Sequence, residues 1–218
     1  MLDRFSEISW QIDQSPILYE DAFAIMEQRA LDIIANKNSE LIWITEHPPV
    51  YTAGISAKPE EILNHNIPVF QTNRGGKYTY HGPGVKIIYV MLNLKKLFYP
   101  KPPDVRIFVR MLENWIIAIL AKIGIKGETR KDRIGIWVCD RNGAEKKIAA
   151  IGIKLKKWVS YHGIAINVNP DLKAFQGIIP CGISNFGVTS VNEVSTKGLP
   201  KLNQIIKKEF GHYLLRPL

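Results

Sequence analysis

Cysteine is scarce in this chain, because its 218 residues include only Cys139 and Cys181. Two cysteines are too few for a disulfide framework or a cysteine-rich metal cluster. The longest apolar run, Trp115–Ala121, is far too short to span a bilayer, and the first seven residues lack a basic-then-apolar signal pattern. The sequence also lacks a phosphate-binding loop and metal-ligand spacing. We therefore expect a cytoplasmic protein with reduced thiols, no membrane association, no metal and no cofactor.

Acidic residues are also outnumbered, since 29 lysines and arginines against 20 aspartates and glutamates give a net charge of +9. A basic surface attracts acidic partners, which include nucleic acids and acidic proteins. The same balance fits an ordinary lysine-rich surface, and charge alone favours that interpretation, so no nucleic-acid partner is expected. The length suits one well-packed domain over residues 1–218, which we expect to be a monomer.

The order of apolar and turn-forming segments predicts an α+β fold, with a mixed or antiparallel sheet and helices against it. Two long helices are expected, one from a cap at Ser15-Pro16 to about Asn36 and one capped by Asp104. A loop is expected at Glu46–Gly54, and Asn142-Gly143 indicates a hairpin. A last helix is expected over Pro200–Phe210. The predicted strands are Trp10–Ile12, Leu41–Thr45, Ile67–Gln71, Val85–Leu94, Ile134–Cys139, Lys146–Lys154 and Tyr161–Asn169.

A glycine-rich segment, residues 74–84, lies between two of these strands. It reads Arg74-Gly75-Gly76-Lys77-Tyr78-Thr79-Tyr80-His81-Gly82-Pro83-Gly84. Glycine allows positive φ and close approach of the backbone to a bound group, so the segment fits a ligand-binding loop. A glycine-rich hairpin with a bulge explains the same spacing equally well.

The two cysteines occupy different settings. Cys139 ends an apolar strand, and free cysteine in such a position usually packs in the core. Cys181 lies between Pro180 and Gly182 in a loop, where a thiol can be exposed as a nucleophile is. A reactive thiol also needs a nearby cation or helix N-terminus to form the thiolate, although most loop cysteines are inert.

Taken together, the motifs resemble the lipoyl(octanoyl) transferase family, and the likeness runs from the first helix to the loop after Cys181. The matching pieces occur in the family's order. They are Arg74-Gly75-Gly76, Thr79-Tyr80-His81-Gly82-Pro83-Gly84, Lys147-Ile148-Ala149-Ala150-Ile151-Gly152, His162-Gly163-Ile164-Ala165-Ile166-Asn167-Val168 and Pro180-Cys181-Gly182-Ile183. One position departs from the pattern, because Val85 stands where the family usually has glutamine.

The resemblance implies a fold shared with biotin- and lipoate-protein ligases, and a reaction. An octanoyl group would move from octanoyl-acyl carrier protein to a lysine of a lipoyl domain through a thioester on Cys181. The acceptors would be lipoyl domains of 2-oxoacid dehydrogenase complexes and the glycine cleavage H protein. Lys147 would activate Cys181, whereas Lys154, Lys156 and Lys157 fall outside the motif. The implied substrate-binding residues are Arg74, Gly75, Gly76, Lys77, Tyr78, Thr79, Tyr80, His81, Ala150, Ile151, Gly152, Gly163, Ile164 and Ala165.

Several alternatives stay open at this point. Without the resemblance, Lys147 is best interpreted as a strand lysine that faces solvent. His81 could orient the thioester or serve the fold, and Arg74 could bind the carrier's phosphopantetheine or cap a hairpin. An ATP-dependent lipoate–protein ligase, or an enzyme that moves octanoyl groups between lipoyl-bearing proteins, would share most of these features.

Overall fold

The computed structural model describes residues 7–139, 143–179, 186–195 and 201–215. Its strands are β1 (Ser9–Ile12), β2 (Leu41–Thr45), β3 (Val50–Ala53), β4 (Val69–Gln71), β5 (Tyr78–His81), β6 (Val85–Met91), β7 (Ile136–Cys139), β8 (Glu145–Lys156), β9 (Val159–Asn167) and β10 (Gly187–Val188). Its helices are α1 (Tyr19–Ile34), α2 (Leu94–Phe98), α3 (Val105–Lys122), α4 (Val191–Val194) and α5 (Leu202–Leu214), with short 3₁₀ turns at Pro59–Glu61 and Leu172–Gly177.

The strands form two mixed sheets within this part of the chain. The larger sheet has the order β1-β2-β6-β9-β8-β10, and β7 also pairs with β8. The β1–β2 and β8–β10 pairs are parallel, and the other pairs are antiparallel. The smaller sheet has the order β4-β3-β5. The predicted α+β class with a mixed sheet is confirmed.

Alternating side chains of β2 show how the core is divided between the two faces of the larger sheet. Ile42 and Ile44 join the apolar cluster that includes α3 and α5. Leu41 and Trp43 join the other cluster, which includes α1 and the smaller sheet. This alternation is the period of two that a strand imposes. The sheet is therefore buried on both faces, with α1 and the smaller sheet on one side.

The first long helix begins later than predicted. It starts at Tyr19, and Leu18 rather than Ser15 occupies the N-cap position. The segment before the helix does not continue it, because the backbone N–H of Ile17 donates instead to the carbonyl of Glu46. Leu18 and Ile25 are apolar but lie on the outer side, 58% and 42% exposed.

A loop over Glu46–Gly54 was expected, and this prediction is wrong in its second half. Residues Val50–Ala53 form β3, which pairs with β4 in parallel and with β5 in antiparallel orientation. The pairing partners lie about 20 to 30 residues further along the chain. The loop-forming tendency of Pro48-Pro49, which precede the strand, is therefore overridden by contacts between distant segments, which the local sequence pattern does not show.

Other boundaries agree more closely with the sequence. The side chain of Asp104 accepts hydrogen bonds from the backbone N–H groups of Arg106 and Ile107, at 2.7 and 3.0 Å, which confirms the cap of α3. The antiparallel β7–β8 pair confirms the predicted hairpin, although Asn142 itself lies outside the described residues.

Cys139 does not pack in the core as expected. It is the last residue of β7 and the only exposed one in the strand, where the apolar side of the sheet has ended. None of the helices in the described ranges is long and apolar enough to cross a membrane.

Candidate active site

A cavity of about 60 Å³ lies where the glycine-rich segment meets β8 and β9. The structure brings thirteen of the fourteen predicted substrate-binding residues to it: Arg74, Gly75, Gly76, Lys77, Tyr78, Thr79, His81, Ala150, Ile151, Gly152, Gly163, Ile164 and Ala165. Tyr80 is the exception, since it lines a separate cavity together with Glu46, Pro83 and Lys86. Tyr19, Ile87, Tyr89 and His162 complete the lining of the first cavity, which we call the acyl cavity after the octanoyl group that the family resemblance implies.

Glycines let three backbone segments come together around the acyl cavity. Gly75 donates its backbone N–H to the carbonyl of Ile153 at 3.1 Å, so the loop is bonded to β8. A Cβ on Gly152 would lie 3.1 Å from the carbonyl oxygen of Gly75, and a Cβ on Gly163 would lie 2.1 Å from that of Ile88. Side chains at these positions would push the segments apart.

Arg74 fixes the glycine-rich loop in place through hydrogen bonds of its own side chain. Its Nη2 donates to the carbonyl and the hydroxyl of Thr52 in β3, at 2.6 and 2.8 Å, and its Nη1 donates to the carbonyl of Gly75 at 3.0 Å. The guanidinium is buried. These contacts favour a role in fixing the loop over a role as a surface site for phosphopantetheine.

Two neutral imidazoles face the acyl cavity. Burial, then His47, Arg74 and His162, lower the pKa of His81 well below its usual value. Burial, followed by the charges of Arg74 and Lys154, lowers the pKa of His162 to about 3. At neutral pH both side chains are therefore uncharged, and they can act only as neutral hydrogen-bonding groups or as packing surfaces.

The proton on His162 is placed by its neighbour Asn73. The amide nitrogen of Asn73 donates to Glu27 and to the hydroxyl of Tyr161, both at 3.0 Å, so its Oδ1 is left to accept from His162 Nε2 at 2.9 Å. Nε2 of the neutral ring then carries the proton, and Nδ1 is an acceptor. His162 also has φ of +60°, an uncommon conformation for histidine that is typical of functional sites.

His47 is a buried partner of the site that the sequence analysis missed. Its Nδ1 lies 2.8 Å from the carbonyl of Ile17, which can only accept, so Nδ1 carries the proton. Its Nε2 therefore accepts from the hydroxyl of Tyr89 at 2.7 Å, and Tyr89 lines the acyl cavity. The available signal was a histidine placed two residues after a fully buried strand.

Lys147 is buried rather than directed to solvent, with 6% of its surface exposed. It lies on β8 where that strand is flanked by β7 on one side and β10 on the other. Its Nζ donates to the carbonyl of Ile134 at 3.1 Å and lies 4.8 Å from the centre of the Trp137 ring. The interpretation of a solvent-facing strand lysine is wrong.

A third cavity, of about 450 Å³, is lined by Lys147 and by residues that also form the wall of the acyl cavity. It is lined by Lys147, Arg133 and Ile134, and it shares five residues with the first cavity: Gly75, Gly76, Lys77, Ile151 and Gly152. The amine of Lys147 thus belongs to the same region as the predicted substrate-binding residues.

Cys181 lies outside the described residues, and the chain on either side is tied to site elements. Before it, the backbone N–H of Ile179 donates to the carbonyl of Glu61 at 2.8 Å. After it, Gly187 pairs with Lys146, six residues beyond Cys181 by number (187 − 181).

The fold belongs to the class of biotin- and lipoate-protein ligases, as the resemblance implied. A crystal structure of lipoate-protein ligase A bound with ATP matches with a TM-score of 0.70 at 15% identity, covering 97% of this chain and 88% of that one. A biotin protein ligase from Aquifex aeolicus, in complex with biotin and ATP, matches with a TM-score of 0.54 at 15% identity, over 95% and 70% of the two chains.

Sequence comparison narrows this class to a family. Residues 18–211 match the lipoyl protein ligase A/B catalytic domain. The octanoyltransferase of Wolbachia sp. subsp. Brugia malayi (strain TRS) is 50% identical over 204 residues, which cover 93% of this chain and 98% of that protein. The chain belongs to the lipoyl protein ligase A/B catalytic domain family, and its predicted likeness to octanoyltransferases is confirmed.

Proposed function

We propose that this chain is an acyltransferase that moves an octanoyl group from acyl carrier protein to a lysine of lipoyl domains, through a thioester on Cys181. The observation that carries the proposal is the likeness to an octanoyltransferase at 50% identity over almost the full length of both proteins. The acyl cavity supports it, because the motif residues gather around one small, largely apolar space.

In the first half-reaction, the Cys181 thiolate attacks the thioester carbon of the octanoyl-carrier. The bond between that carbon and the carrier sulfur breaks, and the carrier leaves as a thiolate that takes up the proton of the Lys147 ammonium. A thioester replaces a thioester, so the acyl-enzyme keeps its reactivity. Lys147, as an ammonium, favours the thiolate form of Cys181.

In the second half-reaction, the amine of the acceptor lysine attacks the Cys181 thioester. The carbon–sulfur bond breaks, an amide forms, and Cys181 returns as the thiolate. The nitrogen loses a proton in this step to the neutral amine of Lys147, which becomes an ammonium again. Formation of an amide from a thioester makes this half-reaction downhill without ATP.

The alkyl chain is assigned to the apolar part of the acyl cavity. Ile87, Ile151, Ile164 and Ala165 provide this surface, and no charged side chain is needed there. Burial contributes about 0.8 kcal/mol per methylene, so a cavity of fixed depth can distinguish acyl chains by length. His81 and His162, both neutral, border this space without placing a charge beside it.

The charge of +9 fits acidic client proteins. We infer that the carrier and the lipoyl domains of 2-oxoacid dehydrogenase complexes and of the glycine cleavage H protein are such clients. Their attraction to a basic surface would speed association at low salt. We further infer that the protein works in the cytoplasm as a monomer.

The test is intact mass spectrometry after mixing the protein with octanoyl-carrier in the absence of ATP. We expect one octanoyl adduct, absent in Cys181→Ser and retained in Cys139→Ser, which is a matched control because Cys139 is exposed. An adduct that persists in Cys181→Ser, or the absence of any adduct in the unchanged protein, would contradict the proposal.

An ATP-dependent ligase is the second candidate, favoured by the fold match to lipoate-protein ligase A bound with ATP. Octanoate with ATP, compared with octanoyl-carrier without it, separates the two, because only the ligase would modify a lipoyl domain in the first mixture. An octanoylated lipoyl domain offered as donor tests transfer between lipoyl-bearing proteins.

A further inference from the structure

The side chain of Trp137 lies between Lys147 and the chain that follows Cys181. The Lys147 Nζ is 4.8 Å from the centre of the indole ring. Phe186 meets the same ring edge-to-face, with 5.5 Å between ring centres and 73° between planes. The guanidinium of Arg133 lies over both rings, 4.6 Å from the centre of Trp137 and 4.0 Å from that of Phe186.

An irregularity in the sheet places Trp137 opposite Lys147. Ile136 pairs with Ala149, but the next residue, Trp137, pairs with Lys147 two positions away, so the register skips Ile148. An unbroken antiparallel register would put Ile148 opposite Trp137. Residues paired directly across two strands share a face, and bulges of this kind re-aim side chains near active sites.

The pairing extends to a third strand. Val188 of β10 pairs with Lys147 from the other side, and the backbone N–H of Thr189 donates to the Lys147 carbonyl at 2.9 Å. Trp137, Lys147 and Val188 thus form one row across β7, β8 and β10. Phe186, two residues before Val188, completes the contact between this row and the chain that leaves the Cys181 segment.

The indole N–H is not what holds Trp137 in place. Its Nε1 is buried and has no hydrogen-bond partner among the described residues. The ring is also almost completely buried. Its contribution to the row is therefore its aromatic surface, which attracts an ammonium over its face and packs against another ring at its edge.

We propose that Trp137 is a positioning residue for the proposed acyl transfer, in which its ring face holds the Lys147 ammonium and its contact with Phe186 fixes that amine relative to the chain carrying Cys181. This inference rests on the proposed function, in which Lys147 activates Cys181. Trp137 touches neither substrate nor the reacting atoms in this scheme. It acts through Lys147.

The test compares Trp137→Leu, which removes the aromatic face, with Trp137→Phe, which retains one and loses no hydrogen bond among the described residues. We expect Trp137→Leu to slow formation of the octanoyl adduct about tenfold, with the KM for octanoyl-carrier changed less than about twofold, and Trp137→Phe to stay within about threefold of the unchanged protein. Trp115→Phe is a control for the same change at another fully buried tryptophan, which packs against Phe210 of α5, and it also removes the hydrogen bond from Trp115 Nε1 to the carbonyl of Ile206.

A second readout needs no acyl donor. The rate at which iodoacetamide alkylates Cys181 at neutral pH reports its thiolate content, and we expect it to fall in Trp137→Leu about as much as acylation does. Cys139 is exposed and two residues from Trp137, so its alkylation in the same sample is an internal reference. It should keep its rate if β7 is intact.

The outcomes separate the inference from the proposed function. If the unchanged protein forms no Cys181 adduct, the proposed function fails. If it does form the adduct, equal rates in Trp137→Leu and the unchanged protein overturn the role of Trp137. Equal losses in Trp137→Leu and Trp137→Phe, in proportion to their thermal destabilisation, also overturn it, because a packing role would then explain the data.

Discussion

The ammonium of Lys77 is paired with the carboxylate of Glu61, and this ion pair joins the glycine-rich loop to the segment that supports the chain before Cys181. Glu61 is buried, and its other oxygen accepts from the backbone N–H of Lys58 at 3.1 Å. Its own carbonyl accepts from the N–H of Ile179 at 2.8 Å. One residue therefore links the acyl cavity, through Lys77, to the entry of the proposed nucleophile segment.

Glu61→Gln should lower the free energy of unfolding by about 2 kcal/mol, because it removes a charged acceptor from a largely buried pair. Urea denaturation at neutral pH measures the change. Lys126→Gln is the control, since it breaks the exposed pair of Lys126 with Glu128 and should have no measurable effect. Equal effects of the two changes would show that the buried Glu61–Lys77 pair stabilises the fold no more than an exposed pair does.

Gly163→Ala should destabilise the fold by about 3 kcal/mol or more, because its Cβ would lie 2.1 Å from the backbone oxygen of Ile88 in the neighbouring strand. Gly187→Ala should stay within about 0.5 kcal/mol, since its Cβ would meet only the flexible side chain of Lys146, at 3.6 Å or more. Thermal or urea unfolding distinguishes the two. A stable Gly163→Ala protein would mean that β6 and β9 can separate at this point.

The free energy of unfolding should fall as the pH drops below about 6.5, and His162 should account for part of the slope. Burial, then Arg74 and Lys154, lowers its pKa to about 3, whereas an unfolded chain binds the proton near pH 6.5. The unfolded state therefore gains a proton in this window that the folded state does not.

His162→Gln should reduce this slope by about 1 kcal/mol per pH unit between about pH 6 and 5. Urea denaturation at a series of pH values gives the slope. The exposed His65 offers the control His65→Gln, which should leave it unchanged. An unaltered slope in His162→Gln would mean that His162 is protonated in the folded protein.

Lys147→Met should slow formation of the octanoyl adduct about 100-fold, because a positioned charge beside the nucleophile is lost. Lys147→Arg should lose less, since it keeps the positive charge. Rapid-quench mass spectrometry follows the adduct. Lys156→Met, on the exposed end of β8, is expected to behave like the unchanged protein. Full activity of Lys147→Met would remove Lys147 from the mechanism.

Salt should raise the KM for octanoyl-carrier, because the net charge of +9 would attract an acidic carrier less strongly when it is screened. Steady-state rates between about 0.05 and 0.5 M salt test this, with the turnover number expected to change little. A KM that is independent of salt would mean that carrier binding does not depend on the basic surface.

Much of the site was predictable because the motifs occur in one order along the chain. The glycine-rich segment, Ala150–Gly152 and Gly163–Ala165 converge as the family resemblance implied, and thirteen predicted residues share one cavity. Tyr80 could not be excluded from sequence, because Tyr78, two residues earlier on β5, does line the acyl cavity, and only the three-dimensional placement of β5 beside β3 puts Tyr80 in the other cavity.

The features that sequence could not provide depend on pairings between distant segments. The strand Val50–Ala53 follows two prolines and exists because β4 and β5 flank it. Lys147 is buried because β7 and β10 enclose its part of β8, and the skipped register at Ile148 has no local signal. Cys139 is exposed because the apolar face of β7 ends one residue before it.

The glycines around the acyl cavity limit how this enzyme can change. Where Gly75, Gly76, Gly152 and Gly163 form the wall, the surface is main chain, and most side chains added there would collide with a neighbouring backbone or require a strained one. Variation in the size of a bound group would therefore fall on side chains of the lining, among them Ile87, Ile151, Ile164 and Ala165. If the proposed acyl transfer holds, a preference for a shorter or longer acyl group would be altered at those side chains rather than at the glycines.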